Sequence, residues 1–295
     1  MSKITFKRCG DHFNLKQNIT ISKRLNKIFE MISDIDASND SELDVISDAS
    51  NDSELDGISD ASNDSELDVI SDVGTDHAFL PIAIILNHKA KKVIAMDLRE
   101  GPLKKAKENI RKYGLSDKIE LRLSNGLCNI KEDDSVDAVT ISGMGGNTIK
   151  DILLSSFSIV RNLKYLILQP QSDIPMIRKF LRENGFLFLD EDIVLEDNKY
   201  YFFMKVRYEE VINRINKLKN PVKNSNKEEF KDFLGPILLK KKSDIFKSYL
   251  EKELNITEKI LKNIEEKDKI KTSSDKRKKE LLKKKYFLNK ALKLF

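Results

Sequence analysis

The chain has 295 residues, 40% of them hydrophobic and 34% charged, enough for one large α/β domain with an appendage or for two modest domains, and too long for a peptide-sized binder. Its two cysteines, Cys9 and Cys128, exclude a disulfide framework and a four-cysteine zinc site. The net charge of +5 hides a segregation: residues 33–72 hold fourteen acids and no base, whereas residues 211–295 hold 25 bases against twelve acids, so an acidic tract, a near-neutral body and a basic tail suited to a polyanion follow one another.

Residues 1–32 form an N-terminal segment. Its start, Met1-Ser2-Lys3-Ile4-Thr5-Phe6-Lys7, has no apolar signal core, and no apolar run in the chain approaches the ~20 residues that span a bilayer. A soluble protein of the reducing cytoplasm, with no membrane contact, is expected. A repeat with a period of 12 follows: Ile35–Ile46, Ser47–Ile58 and Ser59–Ile70 share Asp-Ala-Ser-Asn-Asp-Ser-Glu-Leu-Asp. Near-identity marks a tandem duplication, and a period this short and polar buries little core. Residues 33–66 are therefore expected to be a solvated, disordered acidic insertion. The spacing of Asp36, Ser38 and Asp40 lacks the turn glycine and terminal glutamate of a calcium loop.

From Leu67 strands and helices alternate. The pattern predicts strands over Leu67–Asp72, Lys92–Met96, Ile119–Leu123, Ala138–Ile141 and Tyr165–Leu168. Between them lie an apolar segment, Phe79–Asn87, and helices over Pro102–Tyr113, Asn147 to about Phe157 and Ile174–Asn184, with Gly114 and Gly185 as stops. Two β runs, Phe186–Val194 and Tyr200–Val206, turn at Asp197 and Asn198. Short apolar strands alternating with helices imply a parallel sheet of about seven strands covered on both faces, and the last pair implies an antiparallel edge. Beyond residue 210, Phe246, Leu250, Leu254, Ile256, Ile260, Leu261 and Ile264 recur at helical spacing, so residues 211–295 are read as an amphipathic helical hairpin or coiled coil. It ends in Lys276-Arg277-Lys278-Lys279 and Lys283-Lys284-Lys285.

Open α/β sheets bind ligands outside the carboxyl ends of their strands. The first strand ends in Asp72-Val73-Gly74-Thr75-Asp76-His77. Its two carboxylates would repel a pyrophosphate and suit a ligand with a cationic amino group, and Gly74 lets the backbone pass close to it. The second strand ends at Asp97, 23 residues after Gly74, where an acid commonly holds the two hydroxyls of a ribose. Ser124-Asn125-Gly126-Leu127 follows the third strand as a polar turn within reach of an adenine edge. Gly143-Met144-Gly145-Gly146 follows the fourth, where absent side chains admit a flat ligand and a second substrate. Asp76 is also a candidate cap for the helix beginning near Ala78, and Asp72 and Asp97 can be read as a strand-end acid and a helix cap. His77 reads either as a ligand contact or as packing under the loop. No metal is expected, because His12 and His88 lack compatible spacing.

Asp72-Val73-Gly74-Thr75-Asp76-His77-Ala78-Phe79-Leu80-Pro81, Ile141-Ser142-Gly143-Met144-Gly145-Gly146, Leu166-Ile167-Leu168-Gln169-Pro170-Gln171 and Leu234-Gly235-Pro236 together resemble the bacterial TrmK family. The resemblance covers roughly residues 21–32 and 67–264, with Ser22-Lys23-Arg24-Leu25 matching the family's N-terminal helix. It implies a class I, Rossmann-like methyltransferase domain with a seven-stranded sheet over residues 67–210. It also implies a C-terminal α-helical, coiled-coil-like domain over 211–295. The implied activity is S-adenosylmethionine-dependent methylation of N1 of adenine 22 in tRNA.

On that resemblance Asp72, Gly74, Asp76 and His77 face the methionine end of S-adenosyl-L-methionine. Asp97 holds its ribose, Asn125 and Gly126 border its adenine, and Gly143, Met144, Gly145 and Gly146 line the transfer site. Gln169, Pro170 and Gln171 stand where many base-modifying methyltransferases clamp the target base, and Arg24 reaches toward a carboxylate or phosphate. Asp76 is the candidate proton acceptor. Adenine N1 has its own lone pair, so positioning is expected to dominate over activation, and the basic helices are expected to contact tRNA. The family usually carries an acid where this chain has Asn125, and it has a short link where this chain has the repeats. Two alternatives keep part of this reading: a class I methyltransferase with another RNA, protein or small-molecule substrate, and a non-catalytic interaction protein with an idle pocket.

Overall fold

A computed structural model of the protein describes residues 3–6, 19–32, 67–212, 226–268 and 275–295; the acidic insertion expected over 33–66 lies outside the described residues, and only Leu67–Ile70, the end of the third repeat, enters the sheet. Strands β1 (Lys3–Phe6) and β2 (Ile19–Ser22) pair as an antiparallel ribbon. Helix α1 (Lys23–Met31) follows directly, capped by Ser22, whose Oγ accepts from the Leu25 N–H at 3.2 Å.

Seven further strands make one sheet: β3 (Leu67–Val73), β4 (Ala90–Asp97), β5 (Ile119–Leu123), β6 (Ala138–Met144), β7 (Tyr165–Pro170), β8 (Phe186–Glu196) and β9 (Lys199–Tyr208), in the order β5-β4-β3-β6-β7-β9-β8. The first five are parallel, and β9 runs antiparallel to both β7 and β8. The expected antiparallel edge is present. The hairpin folds back so that β9 fills the place beside β7, leaving β8 as the edge strand. Asp197 and Asn198, both at positive φ, make its two-residue turn.

One face of the sheet carries α2 (Phe79–Leu86) and α3 (Glu100–Lys112), and the other carries α4 (Gly146–Ser155), α5 (Phe157–Val160) and α6 (Ile174–Glu183). The continuous helix expected to about Phe157 breaks at Ser156, where φ and ψ leave the helical region. Helix α2, Phe-Leu-Pro-Ile-Ala-Ile-Ile-Leu, is apolar all round because it lies between the sheet on one side and β2 and α1 on the other; only Phe79 escapes full burial. Pro81 falls in its first turn, where no intrahelical donor is needed.

Helices α7 (Asn226–Leu234), α8 (Pro236–Lys241), α9 (Asp244–Asp268) and α10 (Asp275–Leu292) follow. Phe230, Leu234, Leu238, Phe246, Leu250, Phe287, Leu288 and Ala291 share one apolar cluster with Ile193 of β8 and Phe202 of β9, so the helical region packs on the far end of the sheet. Helices α9 and α10 run antiparallel, tied by ion pairs of Lys284 with Glu253 and Lys285 with Glu258, with Lys283 joined to Glu229 of α7. Tyr249 stacks edge-on against Phe202, Ser248 Oγ meets Tyr200 Oη at 2.9 Å, and Lys252 Nζ donates to the Asn198 carbonyl at 3.1 Å. These contacts climb β9 toward the hairpin turn. The sixteen residues of α9 beyond Lys252 carry it about 24 Å further at the α-helical rise. No described helix is long and apolar enough to cross a membrane.

Candidate active site

Strand order reverses between β3 and β6, and the turns at the carboxyl ends of β3 to β7 converge beside that switch. Asp72, the penultimate residue of β3, is buried, with Oδ2 accepting from the Thr75 hydroxyl at 2.5 Å and Oδ1 from the Thr140 hydroxyl at 2.6 Å. Burial pushes its carboxyl pKa up, against the two hydroxyl donors, and the negative charge of Asp97 adds to the rise. Its first role is to brace the turn. Gly74 follows at φ +83°, where an added Cβ would stand 2.7 Å from Met144 Cε and 3.1 Å from the Ser142 carbonyl oxygen. The N–H groups of Gly74 and Thr75 both donate to the Met96 carbonyl at 2.9 Å, drawing the turn across β4.

Asp76 is exposed and does not cap α2. The N-cap position is Ala78, at φ 54° with no side-chain cap bond, because the chain enters the helix through two left-handed residues, His77 and Ala78. Two non-glycine residues in that region store strain of about 1–3 kcal/mol each, held here by Asn109, whose Nδ2 donates to the His77 carbonyl at 2.9 Å. The His77 ring lies parallel to Phe79 at 5.5 Å, with Nε2 3.4 Å from Asp76 Oδ1. Among the described residues no cluster of three or more His, Cys, Asp or Glu side chains could hold a metal ion.

At the end of β4, Asp97 Oδ1 accepts from the Arg99 N–H at 2.8 Å. Helix α3 starts at Glu100 with Arg99 at its N-cap, so Asp97 is not the helix cap. The next residue, Leu98, is 65% exposed, an apolar side chain standing beside the strand-end acid. The turn after β5 is bound to the same place by the Ser124 N–H, which donates to the Asp97 carbonyl at 2.9 Å. Ser124 Oγ donates to the Gly126 carbonyl and accepts from the Asn129 N–H. Asn125 is exposed, whereas Gly126 is buried at φ +61° against Ile152 of α4.

The turns after β6 and β7 interlock. Gln169 is wholly buried; its Oε1 accepts from the Gly143 N–H at 3.1 Å and its Nε2 donates to the Pro170 carbonyl at 3.2 Å. Pro170 is buried as well. Gln169 and Pro170, the expected contacts of the target base, are thus both buried here, and the Gln169 amide braces two strand ends. Gln171 is the exposed member: its N–H donates to the Met144 carbonyl at 2.8 Å, and a Cβ on Gly143 would stand 3.7 Å from its Nε2. Gly146 opens α4 buried against the Ser172 and Asp173 carbonyls, which a Cβ would meet at 2.9 and 3.0 Å. It packs rather than lines the opening. Gly145 lies against Ser172 Oγ, and Met144, half-buried, packs over Gly74.

Arg24 stands near the start of α1, its guanidinium carbon 5.6 Å from the Tyr201 ring centroid, with Lys199 Nζ at 5.2 Å from the same ring. Leu168 pairs with Met204 in antiparallel register, so Tyr201 and the hairpin turn lie beyond the carboxyl end of β7. Arg24 therefore belongs to the same edge of the sheet as Gln171. Sequence reasoning missed Thr75, Thr140 and Leu98. Thr140 could be found only from strand register, which sets it opposite Asp72; Leu98 carried a signal, an apolar residue directly after the strand-end acid.

Residues 70–288 match the family model described as TrmK: tRNA (adenine(22)-N(1))-methyltransferase. The tRNA (adenine(22)-N(1))-methyltransferase of Bacillus subtilis (strain 168) is 40% identical over 125 residues, covering 42% of this chain and 52% of that protein, so the chain aligns with about half the length of this curated relative. The crystal structure of the B. subtilis M1A22 tRNA methyltransferase TrmK superposes with a TM-score of 0.69 at 29% identity, covering 93% of this chain and 99% of that one. Streptococcus pneumoniae Sp1610 in complex with S-adenosyl-L-methionine gives 0.67 at 27% identity over 92% and 99%. With the family model spanning well over half of the sequence, the chain belongs to the TrmK family.

Proposed function

We propose that the protein transfers a methyl group from S-adenosyl-L-methionine to N1 of adenine 22 in tRNA. The observation that carries this reading is the convergence at one sheet edge of Asp97, the exposed Leu98 and Asn125, and the interlocked turns Gly143–Gly146 and Gln169–Asp173. The residues fit the cofactor. Asp97 Oδ1 is committed to a backbone N–H, leaving Oδ2 as acceptor for a ribose hydroxyl pair. Leu98 offers an apolar surface to a flat ring, with the amide of Asn125 at its edge. Asp76, the exposed carboxylate of the β3 turn, suits an ammonium group and is our candidate for taking up the N6 proton that the methylated, cationic adenine sheds when it becomes neutral; Asp72, Gly74 and His77 shape the turn that presents it.

The cofactor supplies an electrophilic methyl group on sulfur. Adenine N1 brings its own lone pair, so the chain has to align the two rather than generate a nucleophile. Gly143, exposed and at φ +77° with no side chain, lets the base approach the backbone, and Gln171 is the exposed amide beside it. Gln169 and Pro170 hold that turn in place. Because N1 is engaged in folded RNA, the base has to be turned out to reach this edge. Arg24 and Lys199 are cations at the same edge, suited to the phosphates on either side of it. On the arm formed by α9 and α10, Lys276, Arg277 and Lys279 are exposed. Lys283, Lys284 and Lys285 are spent on carboxylates, so the RNA contact is assigned to the first basic cluster rather than to the whole tail.

The test is transfer of labelled methyl from S-adenosyl-L-methionine to a tRNA transcript, beside a matched transcript without adenine at position 22. Incorporation confined to the first is expected. Equal incorporation in both, or none by a protein that binds the cofactor, would overturn the reading.

A further inference from the structure

Helix α6 joins the transfer edge to α7, the first of the helices that lead into the α9–α10 arm. Its first residue follows the Gln171-Ser172-Asp173 turn that interlocks with Gly143–Gly146. One turn along its length Arg178 is 1% exposed, with Nε donating to Oε1 of Glu191 on β8 at 2.7 Å; Glu191 is itself wholly buried. The same two side chains hold the base of the arm. Arg178 Nη1 donates to the carbonyls of Asp232 and Phe233 at 3.4 and 3.3 Å, and Glu191 Oε2 accepts from the Ile237 N–H at the start of α8, at 2.9 Å. Arg182, a turn further, pairs through both Nε and Nη2 with the Asp232 carboxylate at 2.9 and 2.7 Å.

The α7–α8 junction is cut to fit this pair. Gly235 lies at φ +96°, and a Cβ there would stand 2.8 Å from Arg178 Nη2 and 2.9 Å from Glu191 Oε2. Among the described residues Nη2 is buried with no hydrogen-bond partner. Apolar residues of the same volume would serve stability as well as a buried ion pair does. What the pair adds is direction: a fork, a carboxylate and three backbone groups meet in only one orientation.

We propose that Arg178 and Glu191 are positioning residues, which fix the angle of the α9–α10 arm to the transfer edge so that an RNA gripped by the arm delivers its base to Gly143 and Gln171. This rests on the reading of the arm as the RNA contact, and the two fail differently. Reversing charge at the arm, Lys276→Glu with Arg277→Glu, removes binding that is the same in ground and transition states, so the KM for tRNA rises and kcat stays. Replacing the pair with apolar residues, Arg178→Met with Glu191→Leu, leaves the arm's charges intact and misaims what it holds. Then kcat at saturating tRNA falls at least tenfold, because a misplacement of about 1 Å costs on that order or more, while the KM for tRNA and the Kd for S-adenosyl-L-methionine change less than twofold. Should the double variant fail to fold, Gly235→Ala, which drives a methyl group into the pair without altering any charge, is measured in its place with the same expectation. An unchanged kcat in the folded variant overturns the positioning role. So does a parallel loss of cofactor affinity, which would mean ordinary damage to the pocket. An unchanged KM on charge reversal instead overturns the arm as the RNA contact.

Discussion

Asp97 and Asp72 show how one residue type takes two roles a strand apart. Asp72 spends both oxygens on hydroxyls inside the sheet, so burial sets its character; Asp97 spends one oxygen on a backbone N–H at the rim. A hydroxyl bonded to a carboxylate contributes about 1.5–3 kcal/mol, which is about one to two powers of ten in dissociation constant. Asp97→Ala is therefore expected to weaken S-adenosyl-L-methionine binding by that factor in calorimetry, with a melting temperature close to that of the parent. Unaltered affinity would remove Asp97 from the cofactor site. Both acids were legible in the sequence because they end apolar runs. Their division of labour was not, since Thr140 is 68 residues from Asp72 and meets it only through the parallel register of β3 and β6. The burial of Gln169 was not legible for a similar reason: a polar residue at the end of a strand reads as exposed until its neighbour offers a backbone N–H to bury it against.

At the scale of elements, the turn after β5 owes its shape to a clamp. Arg122 reaches from β5 to both oxygens of Asp134 at 2.5 and 2.7 Å, to Glu120 at 2.7 Å and to the Asn129 carbonyl at 2.9 Å, closing the loop that carries Asn125 and Gly126. The guanidinium holds Asp134 down from 3.8 to about 2, and Arg122 and Lys92 together bring Glu120 from 4.5 to about 2. A carboxylate whose pKa is lowered on folding adds stability that is present above its ordinary value and lost as the pH falls through the folded one. Arg122→Met is therefore expected to lower the urea midpoint at neutral pH, with the gap to the parent closing as the pH falls from about 4.5 toward about 2. A gap independent of pH would mean that Arg122 acts through packing alone. Strands and helices were readable from apolar period and glycine stops, to within a few residues. The hairpin was readable too, but not which of its strands would lie against β7, because adjacency in sequence fixes that β8 and β9 pair and leaves their order open.

For the whole molecule, the division at residue 210 looks cleaner in the sequence than in the fold. Removing residues 211–295 would uncover Ile193 and Phe202 and leave Arg178 and Glu191 open on one side. Each large apolar side chain so exposed costs about 1.5–3 kcal/mol, so charge reversal on the arm is the cleaner probe. Arg178 itself gave no warning: Ile-Arg-Lys-Phe-Leu-Arg reads as an ordinary helix face, and only the fold shows one of its arginines inside. The duplication bears on the central strand in a different way. The first six residues of β3, Leu67–Asp72, are repeated without change as Leu43–Asp48. What distinguishes the native copy comes after it: Val73, Gly74 with its left-handed backbone, and Thr75 with its hydroxyl on Asp72, where the earlier copy continues Ala49-Ser50-Asn51. The sequence thus holds two candidates for one slot between β4 and β6, and only the residues of the turn tell them apart. Deleting residues 35–58 is expected to leave the protein folded, with the proposed activity intact, and to abolish a slow fraction in refolding from urea, followed by circular dichroism; identical refolding traces would show that the rival copy never competes. Each further copy that keeps the valine of Leu43–Asp48, as the middle copy with Gly57 does not, would add another rival for the same slot, so the cost of a longer repeat is expected to appear in the rate of folding before it appears in native stability.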